Sequence, residues 1–559
     1  MDCLYLLIAK KAHNIKSGWK SIFTSLTIAS EFANESIVKN GFNYTKTTIE
    51  NYWTEIKNAF FIEAVNCLVA YANNALFKTI SLEAIAMLRL CAKKLYGGEV
   101  IILKVKDDGV LFTESNSHTK LWFPLLTGLA KTISHGHIDV RFFSLLSITF
   151  LCMKTKVLAK HVRQVRSSAL DVLRNLLLTM GGNFSHKLWA LILSGVLLPI
   201  FDNVKHTSLS EKDKEWLTTT CLKALNSLLK IFSTHFHKLS PLLGEFLNLL
   251  VSCILQENKS LATDAATCLL SLVTSNAELW NKEMWDLICQ SFVHIFKYDA
   301  IGLILKATKN GEKEERPLPF VLFQSTIHPK LSSQLDKSTP PEIKDPTANK
   351  SIKLFVLEGK CNVQSILVSA ISEIIKEAYQ HLDTDHLICF LDCLYYSYTC
   401  ANEANNHQIL IEILSSKKTI LEKLLVRKEH DGIAIYLNVL LKMFSEKEKD
   451  VERRMQVAEE RIISPCRFFL EDVASEKPLK ELSPAKQEYR KSKLNVAVQI
   501  LQIISAFNDE QFIKHAHQFF RVWTDLLLSD AIENEEIRYG IHRLNLKAGM
   551  AFNIMKSGN

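Results

Sequence analysis

Val165–Phe201 reads VRSSALDVLRNLLLTMGGNFSHKLWALILSGVLLPIF, and 96 positions further on Leu261–Phe296 reads LATDAATCLLSLVTSNAELWNKEMWDLICQSFVHIF. In the first stretch Val165, Ala169, Val172, Leu173, Leu176 and Leu177 fall at i, i+4, i+7, i+8, i+11 and i+12, the spacing of one apolar helix face. Leu261, Ala265, Cys268, Leu269, Leu272 and Val273 hold the matching positions in the second. A polar break follows in each, Gly181-Gly182-Asn183 or Ser275-Asn276, and then an aromatic, Phe184 or Trp280. Another helical pattern begins beyond it: Trp189, Ile192, Leu193, Val196, Leu197 and Ile200 against Trp285, Ile288, Cys289, Phe292, Val293 and Phe296. A register kept through two helices and the turn between them is a repeat. A helix pair with one apolar face per helix cannot bury both faces alone and has to stack on neighbours, so the expected fold is an all-α, HEAT/armadillo-like helical-repeat solenoid.

Composition agrees with this reading. The chain has 559 residues, 48% of them hydrophobic and 23% charged, enough for a large buried core. Glycine and proline number only 18 and 12, and turn-bounded alternating runs are scarce. A net charge of +8 spread over this length is too diffuse to point to nucleic acid, and none is expected as a partner. The 13 cysteines occur at apolar helical positions such as Cys67, Cys91, Cys221, Cys253 and Cys289, with no CxxC pair, which predicts buried free thiols rather than a disulfide framework. Cys389 and Cys393 share a helix face, and Cys400 lies two turns further on; without ligands from elsewhere the expectation is core packing rather than a metal site. Cys3–Ala9 is too short for a secretory signal and its lysines follow it, while Leu188–Phe201 is too short to span a bilayer and contains Pro199. The expected protein is soluble or peripheral, and its abrupt helical start suggests a piece of something longer.

Half of the prolines (Pro317, Pro319, Pro329, Pro340, Pro341 and Pro346) fall close together with Gly311 and the Glu312–Arg316 charge cluster. A helix cannot pass that density of missing donors. The expected organisation is therefore a first helical block at 1–302, a Pro/Ser/Thr-rich linker at 303–357 and a second helical block at 358–559. Within the first block, Gly97–Lys120 reads as a loop, with Val100–Val105 as a short strand and Asp107-Asp108-Gly109 as a turn. Ser445–Glu460 reads as a solvated charged helix in which Asp450 pairs with Arg454.

Several strings carry a resemblance. Ile15 to Phe23, Ala64-Val65-Asn66-Cys67-Leu68 with Ala72-Asn73-Asn74-Ala75, and Ser81-Leu82-Glu83-Ala84-Ile85 strongly resemble the region downstream of the catalytic domain in the large, brefeldin-A-inhibited class of Arf guanine-nucleotide exchange factors. Trp122-Phe123-Pro124-Leu125-Leu126 with Ile138-Asp139-Val140-Arg141, Leu197 to Asn203, Trp216 to Cys221, and His386-Leu387 through Leu391-Asp392-Cys393-Leu394 look like later homology blocks of that family, in order. The resemblance implies a regulatory, scaffolding role in vesicle-mediated protein transport. The implied location is cytoplasmic, peripheral on trans-Golgi or endosomal membranes. The implied partners are small GTPases of the Arf/Rab class, with self-association in addition. The family's exchange activity resides in a separate helical domain bearing a Phe-Arg-Leu-Pro-Gly-Glu-like acidic loop; this sequence has no such string, so exchange catalysis is not expected of the polypeptide by itself. In the family an Asp-Val-Arg triplet leads directly into the helix that begins here at Ser167, which marks 141–165 as a non-family insert, either an extra helix or a gene-model error. The rival reading is a free-standing HEAT-type adaptor or transport receptor that binds protein cargo.

No P-loop, no GxGxxG before a strand-helix unit, no HExxH and no GxSxG occurs, so no catalytic residue, cofactor or metal ligand is expected. The histidine pairs His135/His137, His235/His237 and His381/His386 read as turn or helix-end residues meeting water. Trp19, Trp122, Trp189 and Trp285 read as core or hairpin-corner packing. The sequons at Asn34, Asn43, Asn183, Asn258 and Asn349 read as chance matches. Lys10, Lys11, Lys16 and Lys20 form the most concentrated basic patch that could share a face, a candidate contact for anionic lipid or an acidic GTPase surface.

Overall fold

The computed structural model describes residues 2–74, 76–100, 114–134, 148–205, 217–297, 350–406, 420–445, 451–475 and 484–552. Among them every regular element is helical. The chain divides into two compact units, Met1–Gln256 and Glu257–Asn559. The division falls ahead of the second repeat, earlier than the proline-dense stretch.

The first unit contains α1 (Asp2–Lys11), α2 (Gly18–Ala29), α3 (Glu35–Asn51), the single turn α4 (Trp53–Ile56), α5 (Phe61–Ala72), α6 (Lys78–Tyr96), α7 (Glu114–Ser134), α8 (Ile148–Met180) and α9 (His186–Ile192). Helix α9 runs on through a π turn at Leu193–Leu197 into a 3-10 stretch at Leu198–Lys205. Then come α10 (Leu222–Thr234), the turn α11 (Phe236–Leu239) and α12 (Leu243–Ile254). Helix α5 packs against α2, α6 and α7, and α8 against α6 and α7. Helices α5 and α7 approach closely at Gly128, where an added Cβ would lie 2.2 Å from Cγ2 of Val69. Glu114–Lys120, expected as loop, opens α7; the expected strand at Val100–Val105 and the turn at Asp107–Gly109 fall at or beyond the edge of the described residues. From Ile148 the segment expected as an insert is helical and continuous with the first helix of the repeat; 141–147 lie outside the described residues.

The second unit contains α13 (Lys259–Ser275), α14 (Lys282–Lys297), α15 (Lys350–Ala378), α16 (Thr384–Asn406), α17 (Ile420–Ser445), α18 (Val451–Ser475), α19 (Pro484–Ala506), α20 (Asp509–Leu528) and α21 (Glu535–Ala551). They alternate between two layers: α13, α15, α17, α19 and α21 stack in one, α14, α16, α18 and α20 in the other. Helix α15 starts at Lys350, so the last positions of the stretch expected as linker are helical; 303–349 lie outside the described residues.

The repeat keeps its register in three dimensions. Ala169, Leu173, Leu176 and Leu177 of α8 are buried, as are Ala265, Leu269, Leu272 and Val273 of α13. Each first helix ends in a 3-10 turn, Gly181–Asn183 or Ala277–Leu279, before the second helix begins. An indole N–H reaches a backbone carbonyl at each corner, but from a different position of the repeat and to a different carbonyl. Trp189 Nε1 donates to Gly181 O at 3.1 Å, whereas in the second copy Trp280, the counterpart of Phe184, donates to Val273 O at 2.9 Å. Trp285, the counterpart of Trp189, is buried with its Nε1 unpartnered.

Caps explain two of the sequons. Asn34 accepts from the amides of Ser36 and Ile37 at the start of α3, and Asn258 accepts from Leu261 N at the start of α13. Asn508 and Gln511 form a reciprocal capping box on α20.

Candidate functional site

The structure offers surfaces more than a cleft. At the amino-terminal end, α1 is held by the buried Ile8, by Tyr5 stacked on Tyr44 at 4.6 Å, by Tyr44 Oη donating to Asp2 at 2.5 Å, and by His13 paired with Glu55 at 2.6 Å. The opposite side of α1 carries Cys3, Leu6, Leu7, Lys10 and Lys11, all exposed, at the spacing of one helix face. Lys16 sits in the turn before α2, with a positive φ of 45°, and Lys20 lies on the outer side of α2. All four lysines are exposed, and none makes a salt bridge among the described residues. The two leucines beside them are about half exposed (53% and 50%), which the lysine pattern alone did not reveal.

A second concentration of polar groups closes the repeat corner in the first unit. Trp122, Phe184, Trp189 and His235 form a ladder of rings with centroids 5.2, 5.6 and 5.2 Å apart. His235 Nε2 lies 2.9 Å from Leu177 O, and Lys238 Nζ donates to Phe184 O at 2.8 Å and to Gly182 O. A histidine expected to meet water instead caps a helix end.

In the second unit the alternate helices of one layer are joined by charged rungs. Asp385 and Asp392 of α16 pair with Arg453 (2.7 Å) and Arg461 of α18, so the two rungs stand about two helical turns apart on both helices. Burial pushes the Asp392 carboxyl up to about 6, and Arg461 pulls in the other direction. One layer position on, Glu459 of α18 receives Lys514 Nζ at 2.8 Å, His515 Nε2 at 2.7 Å and Gln511 Nε2 at 3.2 Å from α20. Burial opposes ionisation there, but the three hydrogen bonds hold Glu459 below the usual carboxylate range. Deeper still, Lys493 of α19 pairs with Asp472 (2.6 Å) and Glu429 (3.7 Å), and Glu429 also accepts from Asn402 and Asn405. Arg454, expected on a solvated helix, is buried instead: its guanidinium donates to Leu382 O at 2.8 Å and lies over the Tyr379 ring.

His386 is likewise buried. Its Nδ1 accepts from Asp383 N at 3.1 Å, which leaves the proton on Nε2, 2.9 Å from Asp286 Oδ1. The ring thus sits at the third position of α16 and reaches back to the residue before the helix, the part glutamate plays in a capping box. Below it the Cys389 thiol donates to Cys289 O at 3.5 Å, in a fully buried cluster with Cys393 where burial pushes the Cys289 and Cys393 thiols up. No group of described residues is arranged to hold a metal ion. Of the thirteen cysteines, the side chains of twelve are described and all twelve are free; among these only Cys3 is exposed. The four tryptophans Trp19, Trp122, Trp189 and Trp285 are core residues. An open groove of about 440 Å³ lies among Trp280, Lys282, Asp383, Thr384, Asp385 and Arg453. Its charges are already matched, Lys282 to Asp383 at 3.1 Å and Arg453 to Asp385.

The chain has relatives in sequence among known proteins. Three family models match in sequence: a Mon2/Sec7/BIG1-like HDS model over 1–47, a GBF1-like tetratrico peptide repeat region over 147–288, and a BIG2 C-terminal domain over 362–544. The brefeldin A-inhibited guanine nucleotide-exchange protein 1 of Mus musculus is 26% identical over 99% of this chain and 31% of its own length. The corresponding protein 2 of Arabidopsis thaliana is 25% identical over 95% of this chain and 32% of its own. The ADP-ribosylation factor guanine nucleotide-exchange factor SEC7 of Saccharomyces cerevisiae is 27% identical over 53% of this chain and 14% of its own. The chain thus spans about a third of the length of the first relatives it matches. In its sequence, this polypeptide is a homologue of the carboxy-terminal region of the large, brefeldin-A-inhibited type of Arf guanine-nucleotide exchange factor.

Proposed function

We propose that the chain is the regulatory, scaffolding portion of such an exchange factor, acting in vesicle-mediated transport at the trans-Golgi network or endosomes without carrying exchange catalysis itself. The observation that carries this reading is the alignment of nearly the whole chain with only about a third of its relatives, through HDS, repeat and carboxy-terminal models. Its work is to bind small GTPases of the Arf/Rab class on helix faces and to hold the parent protein against a membrane surface. Among the described residues no helix is long and apolar enough to cross a membrane, in keeping with peripheral attachment. The exposed Leu6, Leu7, Lys10 and Lys11 of α1, together with the exposed Lys16 and Lys20, supply the contact: half-exposed leucines enter the headgroup region while the lysines meet anionic lipid.

The test is a pull-down of the 559-residue chain by Arf-class and Rab-class GTPases loaded with GTP or GDP. Preferential capture by a GTP-loaded form is expected; equal or absent capture by both forms of all of them overturns the reading.

A further inference from the structure

The second unit's layers end unevenly. Helix α16 lies between α14 and α18, with Phe292 against Phe390 at 5.5 Å on one side and the Asp385 and Asp392 rungs on the other. Helix α18 lies between α16 and α20, to which Glu459 binds it. Helix α20 has α18 on one side and α21 in the facing layer, and no described helix follows it in its own layer.

Its free side is apolar. Ile513, Phe520 and Leu527 recur at seven-residue intervals and are 45%, 57% and 40% exposed, with Leu528 beside them. Seven residues is the interval of a helix-to-helix seam. By contrast the solvent side of α18 presents Glu452, Arg453, Gln456, Glu460, Ser464 and Glu471, broken by Phe468 alone. Helix α21 repeats the pattern of α20: Tyr539 and Met550 are well exposed, and Leu546 is half-buried between them on the same face. Charge divides along these helices. Four of their five acids sit in the first turns (Asp509, Glu510, Glu535, Glu536) and the fifth, Asp525, pairs with Arg521 of α20 at 3.9 Å, while exposed Arg538, His542 and Arg543 line the middle of α21.

We propose that the end of this stack receives an amphipathic α-helix from another polypeptide, lying along α20 as the next member of its layer. Its apolar residues at i, i+3/i+4 and i+7 cover Ile513, Phe520 and Leu527 from one side and Tyr539 and Met550 from the other. Its acidic residues face Arg521, Arg538 and Arg543. The occupant follows from continuity with the α16–α18–α20 layer, in which each helix is covered by the next, and from the cations along the middle of the face.

The probe is a fluorescent synthetic peptide as long as α20 (20 residues), with leucines at helical spacing and glutamates on the flanks; a control peptide has the same composition in scrambled order. The full chain is expected to bind the first peptide and not the second, and Phe520→Glu with Leu527→Glu to weaken binding by at least about tenfold, a change of about 1.4 kcal/mol. Both positions are solvent-facing, so circular dichroism of the variant is expected to match the parent; Tyr539→Ala provides an independent, milder variant with the same direction of effect. Equal binding of both peptides, or variants that bind as the parent does, overturns the proposal. So does light scattering that shows a dimer abolished by the double substitution, which assigns the face to a second copy. Loss of sedimentation with phosphatidylserine-containing vesicles in the same variant overturns it in favour of lipid.

Discussion

Arg461→Met removes the cation that faces the buried Asp392 and leaves the carboxylate without its partner. In the parent protein Asp392 titrates at about 6 against an ordinary 3.8, because burial outweighs the attraction of Arg461. At about 1.36 kcal/mol per pH unit this displacement amounts to about 3 kcal/mol. A carboxyl raised in the folded state holds its proton more tightly there than in the unfolded chain. Its contribution is therefore fully present below 3.8 and is lost as the pH rises through about 6. Without Arg461 the folded-state value rises further and the window of loss extends upward. At pH 8 the variant buries an unpaired charge, or must protonate against the solution, and the expected cost is about 3 to 5 kcal/mol. At pH 5 Asp392 is mostly neutral in both proteins, and only a hydrogen bond worth about 1 kcal/mol is missing. Hydrogen exchange of peptides from α16 and α18 at the two pH values, corrected for the intrinsic exchange rate, reads this locally, with thermal unfolding as a second measure. Equal destabilisation at pH 5 and pH 8 refutes the reasoning. So does an Asp392→Asn background in which Arg461→Met keeps its pH dependence.

Three further outcomes follow from packing and burial. Gly128→Ala drives a methyl into Val69 and is expected to destabilise the first unit by about 1 to 3 kcal/mol, less about 1 kcal/mol of helix propensity; Val69→Ala in the same chain restores most of the melting temperature. Trp189→Phe and Trp285→Phe remove similar volumes, but only the first breaks a hydrogen bond, so urea unfolding is expected to show it about 1 kcal/mol more costly than the second. Maleimide labelling of the native chain near neutral pH is expected to reach Cys3 first and to spare Cys67 and Cys91, whose burial pushes them up to about 11 and about 12; mass spectrometry of digested samples locates the adducts.

Much of the fold was legible because a helix that buries one face must repeat its apolar residues, and Val165–Phe201 and Leu261–Phe296 do so in step. Breaks in chain direction were harder. The proline-dense stretch lies outside the described residues, and the compact units part at Gln256–Glu257, a point that no run of prolines or glycines marks. The interior charges were hidden for a different reason. Lys493, Glu429 and Asp472 sit on three helices, and each resembles a solvated residue until its partner, tens of positions away, is folded against it. Arg454 misled in the same way, since its local spacing to Asp450 suggested a surface pair while its guanidinium reaches Leu382. Asn34 and Asn258 could have been recognised as caps, for each stands directly before an apolar helical run. The lysines of the amino-terminal face were visible in sequence; the exposure of Leu6 and Leu7 beside them was not, because an apolar residue on a helix reads as core until the packing is known.

The different reach of Trp189 and Trp280 bears on how copies of this repeat should be compared. Trp189 seals Gly181 O in the turn after α8, Trp280 seals Val273 O in the last turn of α13, and the carbonyl that matches Val273 O, Leu177 O, is met by His235 Nε2. A tryptophan at one position therefore does not stand in for one at the other. What the two corners share is a ring nitrogen against the same helix-end carbonyl, an indole from within the repeat in one copy and an imidazole from beyond it in the other, so column-by-column identity undercounts the kinship of such repeats.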